Sequence, residues 1–137
     1  MKLPLALVVL VCVGAGCNGT DSLSGVYVGD AQLAECNASG TKVASTADNE
    51  QFRLRDDGNA LQVTWRGCTV VGVEQSTSGR TWTVAAQSCT LDNIASTVRG
   101  QLYKGSEASS SLTIQLEYKP TAQSGACESS LDVVVSR

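Results

Sequence analysis

Histidine is absent from all 137 residues, and that absence removes a large share of protein chemistry at once. No Ser-His-Asp or Cys-His pair can be assembled, and no imidazole can hold a transition metal. Aromatic side chains are nearly as scarce, with one Phe, two Trp and three Tyr. Proline occurs only twice, and no segment sustains an apolar period of 3.6 over the length of a helix. Basic blocks are missing too. Ten basic residues, one of them Lys2, face thirteen acidic ones spread along the chain. A nucleic acid would find no patch to neutralise its phosphates, so none is expected as a partner. Glycine-rich phosphate loops and the acidic spacing of calcium loops are also lacking, and no cofactor or metal is expected.

What remains is rich in Val, Thr, Ser and Gly, a composition that suits short strands and turns. The chain opens differently. Lys2, the apolar run Leu3–Val13 and the small residues Gly14-Ala15-Gly16 describe an export signal, and Cys17 follows at once. This segment resembles the lipobox of bacterial lipoproteins, although Gly14 stands where that family usually carries Leu. In that family the cysteine is lipidated and becomes the amino terminus of the mature protein. The resemblance implies a signal peptide over 1–16, a lipidated Cys17 with a short tether to residue 24, and one domain over 25–137. It also implies a bacterial cell envelope location, with the membrane as a partner through the lipid. The alternative is cleavage after Ala15 and a secreted protein.

Cysteine arithmetic bears on that choice. Cys12 leaves with the signal, and cleavage after Ala15 would leave an odd thiol in an oxidising compartment. Lipidation of Cys17 leaves Cys36, Cys68, Cys89 and Cys127, enough for two disulfides. Their spacing has no close Cys-x-x-Cys pair of the kind that zinc sites use.

Hairpin registers suggest how the four pair. Asp57-Gly58 is a two-residue turn signal between Gln51–Arg55 and Ala60–Arg66. A tip there sets Leu54 opposite Leu61 and Phe52 opposite Val63, with Arg53–Gln62 and Gln51–Thr64 on the other face. A second tip at Ser78-Gly79 sets Val73 opposite Val84, Val71 opposite Ala86 and Gln75 opposite Trp82. The same register brings Cys68 opposite Cys89 in a non-hydrogen-bonded pair, about 4.5 Å between Cα atoms and within reach of a disulfide. Cys36–Cys127 follows by elimination. The polar stretch Asn37–Asn49 reads as a long loop. Ser111–Lys119 alternates cleanly, with Leu112, Ile114, Leu116 and Tyr118 inward, and Ala95–Lys104 and the segment around Leu131, Val133 and Val135 supply further strands.

The expected fold is all-β, about eight antiparallel strands in a meander. A small barrel is preferred to a two-sheet sandwich because closure removes exposed edges. Gly25-Val26-Tyr27 resembles the Gly-x-Trp opening of lipocalins over three residues, which tilts the expectation toward a lipocalin-like barrel. Asp56-Asp57 reads as turn chemistry, and Glu117 and Asp132 as surface charges, so no enzyme is expected. The expected role is a membrane-anchored structural or protein-interaction module of the envelope. The alternative is a lipocalin-like carrier of a small apolar ligand, with Trp65, Trp82, Tyr103 and Tyr118 at the pocket.

Overall fold

A computed structural model of the chain describes residues 22–75, 80–105, 110–123, 125 and 127–137. Cys17 and the expected signal segment lie outside the described residues. Eight antiparallel strands follow in order: β1 (Gly25–Cys36), β2 (Lys42–Asp56), β3 (Ala60–Trp65), β4 (Cys68–Glu74), β5 (Thr81–Leu91), β6 (Ile94–Lys104), β7 (Ser111–Pro120) and β8 (Ser129–Ser136). Each pairs with the next and β8 returns to β1, closing a barrel. The cleanest alternation in the sequence does what it implied, since Leu112, Ile114, Leu116 and Tyr118 all point into the core.

Eight strands leave an interior that side chains alone can fill. Here Tyr27, Phe52, Leu54, Leu61, Trp82, Leu102, Ile114 and Leu131 are among the side chains fully buried within it. Trp82, Leu102, Ile114 and Val133 face one another in succession across β5, β6, β7 and β8. Gly72 makes room for that row, because a Cβ there would lie 3.0 Å from the Trp82 Cβ.

Both hairpin registers need correction. The first turn is one residue further on: Asp57 N–H donates to Ala60 O at 2.9 Å, and Gly58 takes a φ of +87°. Leu54 therefore opposes Val63, and Arg53 opposes Thr64. The change moves partners by two positions, so every side chain keeps its face. In the second hairpin, whose proposed tip at Ser78-Gly79 lies outside the described residues, Val73 opposes Thr83 and Glu74 opposes Trp82. That is a slip of one. Matching apolar residues pairs Val73 with Val84, whereas Gly72 is the inward position and Val73 is exposed. An extra residue in β5 between Val84 and Gln87 then restores the count, and Cys68 bonds Cys89 as expected. Cys36–Cys127 is the second disulfide.

The expected loop from Asn37 to Asn49 is mostly strand. A three-residue turn, Ala38-Ser39-Gly40, closes under the Asn37 side chain, whose Oδ1 accepts the N–H groups of Ser39 and Thr41 at 3.0 Å. β2 then starts at Lys42. Its first residues carry no apolar contrast because both faces are exposed.

Residues 22–24, expected to belong to a free tether, pack onto the barrel instead. Leu23 is buried at the end of the barrel where β1 begins. Its N–H donates to Asp56 Oδ2 at 3.0 Å and its carbonyl accepts the Tyr27 hydroxyl at 2.9 Å. Arg137 donates to Ser22 O and Ser24 O, and its guanidinium lies 5.4 Å from the Tyr27 ring centre. One barrel end is thus stoppered by the segment that precedes β1.

Candidate functional site at the open barrel mouth

The opposite end is built from the last residues of β1, β3, β5 and β7 and the first of β2, β4, β6 and β8. Two tight turns rim it. Arg66-Gly67 joins β3 to β4 and Asp92-Asn93 joins β5 to β6, each with positive φ at both residues, the signature of a type I′ hairpin turn. Asp92 N–H donates to Arg66 O at 3.1 Å, and Arg66 Nη1 lies 3.4 Å from Asp92 Oδ2, so the turns brace each other.

Between them opens a recess of about 320 Å³, lined by Trp65, Leu91 and Tyr118 with Glu35, Arg66 and Ser129 among others. Trp65 is its centre. Its ring stacks on Phe52 at 6.0 Å below and meets the edge of Tyr118 at 5.5 Å. Its indole N–H donates to Glu50 Oε1 at 2.8 Å, and the same oxygen accepts Arg66 Nε at 2.9 Å. Arg66 also lies over the Trp65 ring, 4.9 Å from its centre, a cation–π contact. The Tyr118 hydroxyl donates to Glu35 Oε2 at 3.2 Å. Burial, with Glu35 adding its charge, pushes the Tyr118 phenol well above the usual tyrosine range.

The site thus presents an apolar aromatic floor under a rim of mixed charge, with Glu35 and Asp92 beside Arg66 and Lys119 and Glu50 bonded to Trp65 and Arg66. Glu35, Glu50, Arg66 and Asp92 each already hold a neighbour.

Of the four aromatics expected near a pocket, the structure joins two. Trp65 and Tyr118 meet at the mouth. Trp82 is a core residue, with Arg80 over its ring at 5.5 Å and no hydrogen-bond partner for its indole nitrogen among the described residues. Tyr103 lies on the outer wall, where its hydroxyl meets Gln101 and Gln115 at 2.7 and 2.8 Å. Arg66, Glu35, Glu50 and Asp92 carry no signal in the sequence as a group. Arg66-Gly67 and Asp92-Asn93 can be read as turns, and that reading would have set Arg66 and Asp92 on one rim.

A second hollow, about 570 Å³, lies on the outer wall across β5 to β8, beside the β5 bulge and Gly100. Arg99 dominates it, paired with Glu117 at 3.2 Å and Glu128 at 2.7 Å. The Arg99 hydrogen bond and charge hold the Glu128 carboxyl below the usual range.

Compared with family models, curated proteins and solved structures, the chain matches none. The reading of the site therefore rests on its own geometry. No group of three or more potential metal ligands occurs among the described residues. No helix among them is long and apolar enough to cross a membrane. The two disulfides are consistent with an extracytoplasmic protein.

Proposed function

We propose that this chain is a non-enzymatic lipoprotein of a bacterial cell envelope, anchored through Cys17, whose open barrel mouth engages a protein partner. The filled interior carries the choice of an interaction module over a carrier. Tyr27, Phe52 and Trp82 are each 1 % exposed or less, so the barrel centre is occupied by its own side chains. Binding is then left to the rim and the outer wall. The anchoring is supported by the lipobox-like segment and by the disulfides.

Geometry gives the anchor a consequence. Ser22 sits at the stoppered end, and it lies five Cα-to-Cα steps from Cys17. At about 3.5 Å per residue that linker reaches roughly 17 Å at most. The stoppered end would face the lipid and the mouth would face away from it.

The second reading, a lipocalin-like carrier of a small apolar ligand, is favoured by one observation, the recess over Trp65 and Tyr118. Its volume lies at the lower limit of small-molecule sites.

Expression of the full chain in a bacterium, followed by mass spectrometry of the mature protein, tests the anchor. A first peptide starting at Cys17 with diacylglycerol and acyl mass is expected; an unmodified Cys17 thiol would overturn it. Titration with an apolar fluorescent probe separates the two readings. Saturable quenching of Trp65 emission would favour the carrier, and cross-linking of one envelope protein through mouth residues would favour the module.

A further inference from the structure

Closure of the barrel leaves the first part of β2 without a ladder partner on one side among the described residues. β2 is longer than β3, and their ladder starts only at Arg53. From Lys42 to Glu50, β2 pairs with β1 on one side and with no described residue on the other. This ribbon rises beside the mouth, fully described and exposed, with only Ala47 and Glu50 partly covered.

The direction of its free backbone groups follows from the β1–β2 turn. Asn37 N–H donates to Thr41 O at 2.9 Å, so Asn37–Thr41 is a narrow pair and narrow pairs recur every second residue. Val43, Ser45 and Ala47 are thereby bonded to β1. Lys42, Ala44 and Thr46 turn their N–H and C=O groups to the open side. The N–H of Cys36, which donates to Ser129 Oγ across the other side of β1, fits the same alternation. Open edges are normally blunted by proline, a bulge or charge, lysine above all. This one has Lys42 at one end and the irregularity at Asp48-Asn49 at the other, with neither proline nor charge between them.

The sequence of the edge is self-complementary. An antiparallel copy centred on Ser45 sets Lys42 opposite Asp48, Val43 opposite Ala47 and Ala44 opposite Thr46. Two opposite-charge pairs then close the ends on one face. Neither Lys42 nor Asp48 has an ion-pair partner among the described residues. Val43, 51 % exposed, gains cover from Ala47 of the other copy on the opposite face. The Ala44–Thr46 pairs fall in the narrow class that this edge can form, and the small residues between the charged ends let two ribbons approach.

From these observations we infer that the Lys42–Asp48 edge pairs with the same edge of a second copy of this chain, forming a two-fold dimer with one continuous sheet across both ribbons. The copies run antiparallel, so their stoppered ends point away from each other. The dimer therefore suits chains in solution or on facing surfaces more than neighbours on one membrane. An interface of one strand edge is small, and the dimer belongs to the weak, reversible class.

Sedimentation velocity on the full chain in mild detergent, from about 10 μM to about 1 mM, reads the assembly directly. A concentration-dependent dimer is expected, with the amides of Ala44 and Thr46 gaining exchange protection as it forms while those of Val43 and Ser45 are protected throughout. Ala44→Pro removes an N–H that points away from β1 and should abolish the dimer with the near-UV circular dichroism unchanged. Lys42→Asp should also lose it, and adding Asp48→Lys to that variant should restore it; this pair keeps the test intact if the proline variant fails to fold. A monomer across the whole range, a dimer indifferent to these variants, or an edge that pairs only with a foreign extended peptide would each overturn the inference.

Discussion

Gln87 replaces part of a strand ladder with its own side chain, and its removal should open the barrel at that point. The extra residue in β5 interrupts regular pairing between β4 and β5 after Val73–Thr83. The Gln87 amide closes the gap: its Oε1 accepts Val71 N–H at 2.8 Å, and its Nε2 donates to Val71 O at 3.1 Å and Ala85 O at 2.9 Å. Three neutral hydrogen bonds at about 1 kcal/mol each set a ceiling of about 3 kcal/mol. The site is half-buried, so water recovers part of this, and Gln87→Ala should cost about 2 kcal/mol. Gln87→Glu keeps the acceptor but loses both donations and sets a carboxylate against two carbonyls, so it should cost at least as much as alanine. Urea unfolding under oxidising conditions measures both, and amide exchange at Val71 should speed up in each variant. The Cys68–Cys89 bond ties the same seam two residues away. Its loss together with Gln87 should therefore be non-additive. A cost below about 0.5 kcal/mol with Val71 still protected would refute the idea that this side chain completes the ladder.

Gly100→Ala should destabilise by about 2 kcal/mol or more, because its Cβ would land on Gln115 O and the Leu116 backbone; an unchanged thermal midpoint would count against that close approach. Replacing Cys36 and Cys127 by Ser opens a loop of 91 residues. Loop entropy puts the loss at up to about 4.6 kcal/mol, against about 3.3 kcal/mol for the 21-residue loop of Cys68–Cys89; denaturant titrations of the two double variants should rank in that order. Burial pushes the Tyr27 and Tyr118 phenols up in the folded barrel, with Arg137 opposing the effect at Tyr27 and Glu35 reinforcing it at Tyr118. Unfolded tyrosines lose their protons near pH 10, so above that pH the unfolded state binds fewer protons and stability falls as pH rises. Phenolate absorbance from these residues should grow in step with loss of near-UV circular dichroism; their ionisation in a still-folded barrel would contradict the burial.

Strands whose two faces differ could be read directly. Ser111–Lys119 alternates because one face meets the core, and its inward residues were assignable from period alone. Lys42–Asp48 failed as a strand for the same reason inverted: with both faces in solvent, selection leaves no apolar contrast to read. Register is harder. The slip at Val73 arose because the inward residue of β4 is Gly72, which advertises nothing, and the β5 bulge then cancelled the error before the cysteines. Gly29 and Gly100 mark places where strand backbones touch, which depends on how the sheet coils and not on any local pattern. At the mouth, Glu35, Glu50, Arg66 and Asp92 come from separate hairpin ends. Only a correct register for β1 through β6 brings them together.

The two ends of the barrel are secured by different means, and the difference bears on where a partner would bind. At the stoppered end, Asp56, Arg137 and the Tyr27 hydroxyl hold the segment 22–24 by hydrogen bonds, interactions that come apart when that segment moves. Both disulfides are at the mouth end: Cys36–Cys127 ties the end of β1 to the segment before β8, and Cys68–Cys89 sits just behind the paired turns. The rim is thus cross-linked twice in a domain with few aromatics to stabilise it by packing. Association costs free energy for every side chain and loop that must be ordered at the interface. A rim held covalently, with Trp65 fixed between Glu50, Arg66 and Phe52, is already ordered before contact. On the proposed interaction reading, that pre-organisation would favour the mouth over the outer wall as the surface that a partner meets.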